Sequence, residues 1–363
     1  MQSADEKLEM PDYLRIMAEN DASDLFCSAG APVQIKMGGK TRPLETDPLH
    51  PGAPRALAYS LMTEAQILEF EEKKEMNLGI SMGDVGRFRV NVYFQRSEVA
   101  MVVRYIKSDI PTLETLGLPK ILKSLIMEKR GLVLIAGASG SGKSTTLASM
   151  IDYRNEIQSG HILCIEDPIE FLHRHKKSVV DQREVGIDTD SFENALKNAM
   201  REAPDVIMIG EILDRMTMQH AITYSETGHL CISTLHANNA NQAIDRIVNF
   251  FPEDSRSQLL LDLSLNLKAV ISQRLISARG GGLIPAMEIM LGTPYVSELI
   301  RRGSMDEIKA VMAKSTDPSV CTFDQSLFEL YSNGKISLED ALANADSATD
   351  LKLRIRLSER NKP

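Results

Sequence analysis

The 363-residue sequence predicts an α/β protein in which a small α/β domain precedes a parallel sheet covered by helices. First, short continuous apolar runs alternate with helical patterns, as in parallel strands that are buried on both faces. Second, segments before residue 108, such as PVQIKMGG and GRFRVNVYF, alternate apolar and polar residues like half-buried strands. Third, a helical pattern follows from about Pro294 onward. We therefore expect an N-terminal domain over residues 1–107, a linker over 108–118, a core over 119–292 and a helical C-terminal portion over 293–363.

The individual elements follow from these patterns in chain order. In the N-terminal domain, EAQILEFEEKKEM has a helical pattern, and the prolines of residues 48–54 predict a loop that leads into a helix. In the core, predicted strands alternate with predicted helices. The strands are LVLIAGA, HILCIED, DVIMIGE and LCISTLHA, and the helices are GKSTTLASMIDYRNE and RMTMQHAITYSETG. Near the C-terminus, YVSELIRRGSMDEIKAVMAKS and TFDQSLFELYSNGKISLEDALANA predict helices.

Composition and charge indicate a cytoplasmic protein. The formal net charge is −9, so no global positive field attracts nucleic acid or anionic lipid. The apolar runs are far shorter than the roughly 20 residues that span a bilayer, and the acidic first ten residues do not resemble a secretion signal. The four cysteines are scattered without a CxxC pair, which fits a reducing compartment.

A phosphate-binding pattern lies between a predicted strand and a predicted helix. GASGSGKS matches G-x-x-x-x-G-K-[ST], whose glycines let backbone N–H groups turn inward around phosphate oxygens. Lys143 would reach the β- and γ-phosphates, and the Ser144 hydroxyl would ligate Mg²⁺ at the positive end of the helix. We call residues 137–145 the phosphate loop and predict that they bind a nucleoside triphosphate. The residues concerned are Gly137, Ala138, Ser139, Gly140, Ser141, Gly142, Lys143, Ser144 and Thr145.

Two further predicted strands end in carboxylates. Glu166 and Asp167 end one strand, and Glu211 and Asp214 follow another. The carboxyl ends of parallel strands meet at one edge of a sheet, where ligands collect. Carboxylates there can hold Mg²⁺ or position an attacking water, although acids at strand ends can also be solvated turn residues.

Two histidines, His229 and His236, flank the last of these strands. They are seven residues apart, which in a strand places their side chains on opposite faces and disfavours a single metal site. A neutral histidine at a strand end can instead sense phosphate by hydrogen bonding, or act at a subunit boundary.

Four segments occur in the order found in the secretion-type ATPases. GASGSGKST, IEDPIEF, PDVIMIGEI and TGHLCISTLHANNANQAIDRI resemble that family's phosphate loop, Asp box, second acidic strand and His box. The whole chain is similar to the type IV pilus retraction ATPases. ASDLF, GRFRVNVYFQR, LHANNANQAIDRIVNFFP and the basic tail DLKLRIRLSER resemble their accessory branch most. The resemblance implies a PAS-like N-terminal domain and a RecA-like P-loop ATPase domain with a helical C-terminal portion.

The resemblance also implies site roles. Glu166 would polarise water, Glu211 would support Mg²⁺ or water, and His229 and His236 would form the His-box pair. Arg89 and Arg104 match N-terminal arginines that reach the triphosphate in this family, and a guanidinium suits phosphoryl oxygens. Without the family match, these two could equally be strand-surface residues paired with local carboxylates.

The partners follow from the same resemblance. It implies a cytoplasmic homohexamer at the inner-membrane face, which uses ATP and Mg²⁺. It also implies contact with an inner-membrane platform protein and with a paralogous PilT-like retraction ATPase. No nucleic acid is expected as a partner.

One departure from the family concerns the residues GEILD, where Leu213 stands in place of an arginine. We expect slower hydrolysis, because an arginine there could pair with Asp214 or another nearby acid. A nucleotide-gated assembly adaptor with weak hydrolysis therefore stays an alternative. A nucleic-acid translocase is a further one, although the acidic charge and the absence of Trp oppose it.

The C-terminal segments leave two interpretations open. TPYVSELIRRGSMDEIKAVM occupies the place of the family's retraction-associated helical motif, but an ordinary packed helix pair shows the same apolar spacing. The basic tail could contact a partner or be a solvated end.

Overall fold

The computed structural model describes residues 8–44, 47–83 and 85–360. The chain divides into two compact units. The first contains residues 1–109, 169–172 and 186–188, and the second contains 110–168, 173–185 and 189–363. Most of the predicted linker belongs to the second unit, where Leu113 and Leu118 are buried in the core. The ends of the predicted outer segments, residues 1–7 and 361–363, lie outside the described residues.

The first unit is built on an antiparallel sheet. Its helices are α1 (Met10–Glu19), α2 (Ala53–Tyr59) and α3 (Glu64–Lys73). Its strands are β1 (Asp24–Cys27), β2 (Gln34–Met37), β3 (Lys40–Pro43), β4 (Glu75–Met82), β5 (Gly86–Gln95) and β6 (Glu98–Ile106). Among the described residues, the strand order is β3-β2-β1-β6-β5-β4. The alternation of GRFRVNVYF is confirmed, because Phe88, Val90 and Val92 are buried in the unit's core.

One element of the first unit ends earlier than expected. The helical pattern EAQILEFEEKKEM extends to residue 76, but α3 stops at Lys73. Lys74 has a left-handed backbone, with φ of 67°, and strand β4 begins at the next residue. The left-handed residue therefore ends the helix within what looks like one continuous helical pattern.

The second unit contains the predicted parallel sheet. Its strands are β7 (Gly131–Ala136), β8 (Gly160–Glu166), β9 (Ser178–Glu184), β10 (Val206–Glu211), β11 (Leu230–Leu235), β12 (Leu267–Ser277) and β13 (Leu283–Leu291). Within the described residues, the order is β13-β12-β7-β11-β10-β8-β9. All neighbours are parallel except the antiparallel pair of β12 and β13.

Helices cover both faces of this sheet. They are α4 (Ile121–Ile126), α5 (Lys143–Ile157), α6 (Phe192–Ala199), α7 (Arg215–Glu226), α8 (Ala240–Asn249), α9 (Glu253–Asn266), α10 (Pro294–Arg302), α11 (Met305–Ala313), α12 (Phe323–Ser332), α13 (Leu338–Ala343) and α14 (Ala348–Arg360), with a 3₁₀ turn at Met200–Glu202. Leu132 and Leu134 of β7 face the core on the side of α6–α11, whereas Val133 and Ile135 face α4 and α5. The strand is apolar throughout because both of its faces are buried.

Two parts of the sheet have no counterpart among the predicted elements. Strand β9 lies at an edge, and its sequence SVVDQRE is too polar for the continuous apolar pattern. The pair β12–β13 lies at the other edge, in a stretch to which the sequence patterns assigned no element.

The predicted C-terminal helices are present as α10–α14. Val296, Leu299, Ile300, Ile308 and Met312 are buried in the main core, as in the ordinary helix pair that the spacing also allowed. Helices α12–α14 form a separate cluster on β12 and β13.

Strand β12 is fixed to this cluster by Arg274. The guanidinium lies 3.8 Å from the ring centroid of Phe323. One nitrogen, Nη2, donates to Asp346 Oδ1 at 2.7 Å, and the other, Nη1, donates to the carbonyl of Asn344 at 2.6 Å.

Strand β13 carries a buried carboxyl group that contacts a helix. Glu288 is 2% exposed, and its Oε1 accepts a hydrogen bond from the backbone N–H of Ala240, the first residue of α8, at 2.8 Å. Burial raises the pKa of Glu288 above its ordinary value of 4.5, and Asp346 adds to this effect. The hydrogen bond from Ala240, followed by the charges of Lys309 and Arg274, acts in the opposite direction without cancelling the rise in pKa.

We expect Glu288→Gln to make the stability of the protein less dependent on pH. Because the folded-state pKa of Glu288 is raised, the wild type loses stability as pH rises from 4.5 through that raised value. Glutamine keeps an oxygen for the Ala240 N–H but has no charge to bury. Urea unfolding should show the variant more stable than the wild type at neutral pH, with the gap closing near pH 4.5. A gap of constant size at both pH values would contradict the burial argument.

Candidate nucleotide-binding site

The register of three parallel strands brings the predicted site together. Ala136 of β7 pairs with Leu235 of β11 on one side and with Ser272 of β12 on the other. The next residues along the chain are Gly137, His236 and Gln273, so these three lie at the same level of the sheet. Gly137 and His236 follow their strands, whereas β12 continues past Gln273 to Ser277. Glu211 pairs with Thr234 at this edge, and Glu166 ends β8, which neighbours β10.

The phosphate loop has the backbone that its glycines predict. Gly140 and Gly142 adopt left-handed conformations, with φ of 75° and 86°, and α5 begins directly after Gly142. A Cβ on Gly137 would lie 2.3 Å from Ser141 Oγ and 2.8 Å from the carbonyl oxygen of Gln273. These positions therefore need glycine for conformation and for space.

A line of contacts joins three of the predicted residues. Lys143 Nζ lies 2.9 Å from the Gly137 carbonyl oxygen, 3.0 Å from that of Ala138 and 3.5 Å from His236 Nδ1. On the other side of the imidazole, His236 Nε2 lies 2.9 Å from Glu211 Oε1. A line of close contacts therefore runs from the lysine of the loop through one histidine to the acid at the end of β10. The last contact is not a hydrogen bond, because Glu211 Oε1 has no hydrogen-bond partner among the described residues.

The loop fits a phosphate group. Ser141 is 6% exposed, and among the described residues its Oγ has no hydrogen-bond partner. A buried hydroxyl without a partner is costly, and an anion oxygen in the loop would satisfy it. The loop also has a lysine and a helix N-terminus directed at the same place. For Mg²⁺, the Ser144 hydroxyl and the Glu211 carboxylate are oxygen donors of the kind that this ion prefers, so these two residues would hold it.

Glu166 lies in a more enclosed place than Glu211. It is 8% exposed, and its Oε1 accepts a hydrogen bond from Gln182 Nε2 at 2.9 Å. Glu166 is therefore held by strand β9, which the sequence patterns did not identify.

One predicted residue of the second unit, His229, is not brought to this group. His229 precedes β11, so it lies at the opposite end of the strand from His236, roughly 20 Å away along the strand. Its Nδ1 lies 3.2 Å from Thr227 Oγ1. Arg89 and Arg104 are paired across β5 and β6 in the first unit. Arg104 Nε donates to Asp24 Oδ1 at 2.9 Å, which is the local carboxylate contact that the sequence left open.

The expectation that Asp214 lacks a partner because residue 213 is leucine is wrong. Asp214 is not left unpaired by Leu213, because its Oδ1 accepts hydrogen bonds from the N–H and the Oγ1 of Thr217, both at 2.8 Å. Asp214 is thus the N-cap of α7. The side chain of Leu213 itself is 53% exposed.

Sequence reasoning also missed a residue that contacts the loop. Gln273 Nε2 donates to the carbonyl oxygen of Ser141 at 2.8 Å, and its Oε1 accepts from Thr146 Oγ1 at 2.7 Å. Gln273 is 3% exposed. A glutamine inside the apolar stretch LKAVISQ was the available signal, since a buried polar side chain requires partners. No motif connects it to a loop 132 residues earlier.

We expect Gly142→Ala to weaken nucleotide binding more than Gly140→Ala. Both alanines pay about 1–2 kcal/mol for the left-handed conformation. Only at residue 142 would the new Cβ meet a neighbour, Gln273 Nε2 at 2.8 Å, whereas nothing lies within 4 Å at residue 140. Titration with a fluorescent ADP analogue should show at least a tenfold larger Kd for Gly142→Ala than for Gly140→Ala. Equal losses would contradict the steric argument.

The chain is similar to several known proteins along most of its length. Residues 56–301 match the family described as "Type II/IV secretion system protein". The chain is 52% identical to "Type IV pilus ATPase PilU" of Pseudomonas aeruginosa, over 96% of this chain and 92% of the relative. It is 42% identical to "Type IV pilus retractation ATPase PilT" of the same organism, over 93% of this chain and 98% of the relative.

A solved structure supports the same assignment. The structure titled "Crystal Structure of the Pilus Retraction Motor PilT and Bound ADP" has a TM-score of 0.88 and 41% identity. It covers 96% of this chain and 100% of that chain. The resemblance to the retraction ATPases and their accessory branch is thereby confirmed. Because the family spans most of the chain and these relatives align along nearly all of it, this protein belongs to the type II/IV secretion system family and is one of its ATPases.

Proposed function

We propose that this protein is an ATP-hydrolysing motor subunit that drives type IV pilus retraction. The observation that carries the proposal is the line of contacts from Lys143 through His236 to Glu211. The line connects the loop that would hold the phosphates to a carboxylate that can act in hydrolysis. The relatives named as PilU and PilT supply the process in which the motor would act.

Nucleotide binding would change the partners of Lys143. In the structure, its ammonium group contacts the carbonyl oxygens of Gly137 and Ala138. Phosphate oxygens carry more negative charge than carbonyl oxygens, so a triphosphate in the loop would attract the ammonium group more strongly. The contacts of His236 would change with the position of the lysine, because its ring lies between Lys143 and Glu211.

The remaining chemistry is assigned to the acids at the strand ends. Ser144 and Glu211 would hold Mg²⁺, which when bound would neutralise charge on the phosphate groups. Glu166 would polarise the attacking water, helped by the enclosed position in which Gln182 holds its carboxylate.

The assembly is proposed from the family. The ring would be a homohexamer in which Arg89 and Arg104 contribute to the triphosphate site, with His229 as the second His-box residue. The motor would act at the cytoplasmic face of the inner membrane, on a platform protein there and beside a PilT-like paralogue. None of the helices in the described ranges has the length and apolar character needed to cross a bilayer.

A second candidate is a nucleotide-gated adaptor that hydrolyses ATP only weakly. The exposed Leu213, which follows the acid-bearing end of β10, favours it, because an uncharged side chain stands where the family has an arginine. Steady-state hydrolysis separates the two candidates.

We expect the purified hexamer to hydrolyse ATP in the presence of Mg²⁺ well above a Lys143→Ala blank. Glu211→Gln should lower kcat by roughly 100-fold, since it removes the charge that holds Mg²⁺ or orients water. Glu253→Gln, an exposed acid at the start of α9, is the matched control and should leave the rate unchanged.

Light scattering on the same samples verifies the ring. A wild-type rate equal to the blank, with nucleotide bound and the hexamer intact, would overturn the motor in favour of the adaptor. A rate that survives Glu211→Gln would remove Glu211 from the mechanism.

We expect Leu213→Arg to raise the ATPase rate severalfold. An arginine at this exposed site adds a cation near Glu211 without disturbing the Asp214 cap, whose partners belong to Thr217. Leu213→Lys adds the same charge without the planar fork of donors and should give a smaller gain. Rates equal to the wild type for both variants would show that Leu213 does not limit hydrolysis.

A further inference from the structure

The amide of Gln273 spans the phosphate loop and the first turn of α5. We propose that Gln273 is a positioning residue of the nucleotide site, which fixes the direction of the peptide group between Ser141 and Gly142 before nucleotide binds. The inference rests on the proposed function only in that it takes the loop to bind a nucleotide.

The orientation of the amide follows from its partners. The Ser141 carbonyl oxygen can only accept, so the Gln273 NH₂ group must face it. The oxygen of the amide then faces Thr146 Oγ1, whose hydroxyl donates to it. Rotating the amide by half a turn would break both hydrogen bonds, and all three residues are at least 94% buried, so water cannot replace them.

The anchored carbonyl sets the direction of the following N–H. In a trans peptide the C=O and N–H groups point in opposite directions. Because Gln273 holds the Ser141 oxygen toward β12, the N–H of Gly142 points away from β12. The Gly142 carbonyl is held in turn by the N–H of Thr146 at 3.0 Å. Of the two peptide groups before α5, the one between Ser141 and Gly142 is therefore fixed by Gln273, and the one between Gly142 and Lys143 is fixed by Thr146.

The glycines of the loop leave room for the side chain and the backbone of Gln273. The Cβ that residue 142 lacks would lie 2.8 Å from Gln273 Nε2, and the Cβ that residue 137 lacks would lie 2.8 Å from the Gln273 carbonyl oxygen. A glutamate at 273 could still accept from Thr146 but would present a second oxygen to the Ser141 carbonyl. A methionine has similar length and neither polar atom.

A residue with this role should affect nucleotide affinity more than turnover. Without the Gln273 amide, the loop would lose its preformed geometry, and part of the nucleotide-binding energy would then be used to order the loop. A merely structural residue would instead lower the melting temperature and leave the stabilisation by ADP unchanged.

The test is ADP binding by Gln273→Met and Gln273→Glu in the full-length hexamer. Ser272→Ala is the matched control, because Ser272 is equally buried and its side chain points to the opposite face of β12. We expect at least a tenfold rise in the Kd for a fluorescent ADP analogue in both Gln273 variants. The ADP-induced rise in melting temperature should shrink in parallel, and KM for ATP should rise more than kcat falls.

Each outcome bears on the proposal. Wild-type ADP affinity in either Gln273 variant that retains the hexamer would overturn it, as would a loss of equal size in Ser272→Ala. If Gln273→Met does not fold, Thr146→Val tests the same anchor from its other end, and unchanged ADP affinity there would overturn the proposal. Failure of the motor proposal would appear separately, as wild-type protein that binds ADP but does not hydrolyse ATP.

Discussion

The parallel pairing of β7 with β11 and β12 is the constraint on which the site depends. It places Ala136, Leu235 and Ser272 side by side, so the next residue of each chain segment lies at the same level of the sheet, although β12 itself continues to Ser277. The phosphate loop, His236 and Gln273 are then neighbours without being close in sequence. Antiparallel pairing would send successive strand ends to opposite edges of the sheet, and no such group could form. The burial of β7 on both faces keeps this register fixed, because a slip would move apolar side chains between two different cores.

Much of this arrangement could be predicted from the sequence because its signals are local. An apolar run followed by GASGSGKS specifies a strand, a loop and a helix within 27 consecutive residues, 131–157. Edge strands lack such signals: β9 lies at the edge of the sheet and is half polar, and its side chains alternate between buried and exposed over residues 178–181. Gln273 could not be assigned for a different reason. Its role depends on contacts with Ser141 and Thr146, and strand order, not spacing in the chain, decides which distant residues meet.

His229 and Asp214 show the opposite case, in which residues close to the site in sequence are not part of it in space. His229 and His236 lie in one short segment, yet a strand of six residues separates them because extended chain covers distance quickly. Asp214 is three residues from Glu211, but its carboxylate turns to cap α7. Closeness in the sequence therefore overstates closeness in space along strands and at helix N-termini. At a helix N-terminus, the unpaired backbone N–H groups take nearby side chains as hydrogen-bond partners.

Strand β12 connects the loop to the C-terminal helices through two consecutive residues. Gln273 reaches the phosphate loop, while Arg274 stacks on Phe323 and pairs with Asp346. Since successive side chains leave a strand on opposite faces, inserting or deleting one residue before Gln273 would exchange these two destinations. It would aim a guanidinium at the loop and an amide at the acid. The two contacts therefore constrain the number of residues that precede Gln273 in β12 as well as the identity of the two side chains.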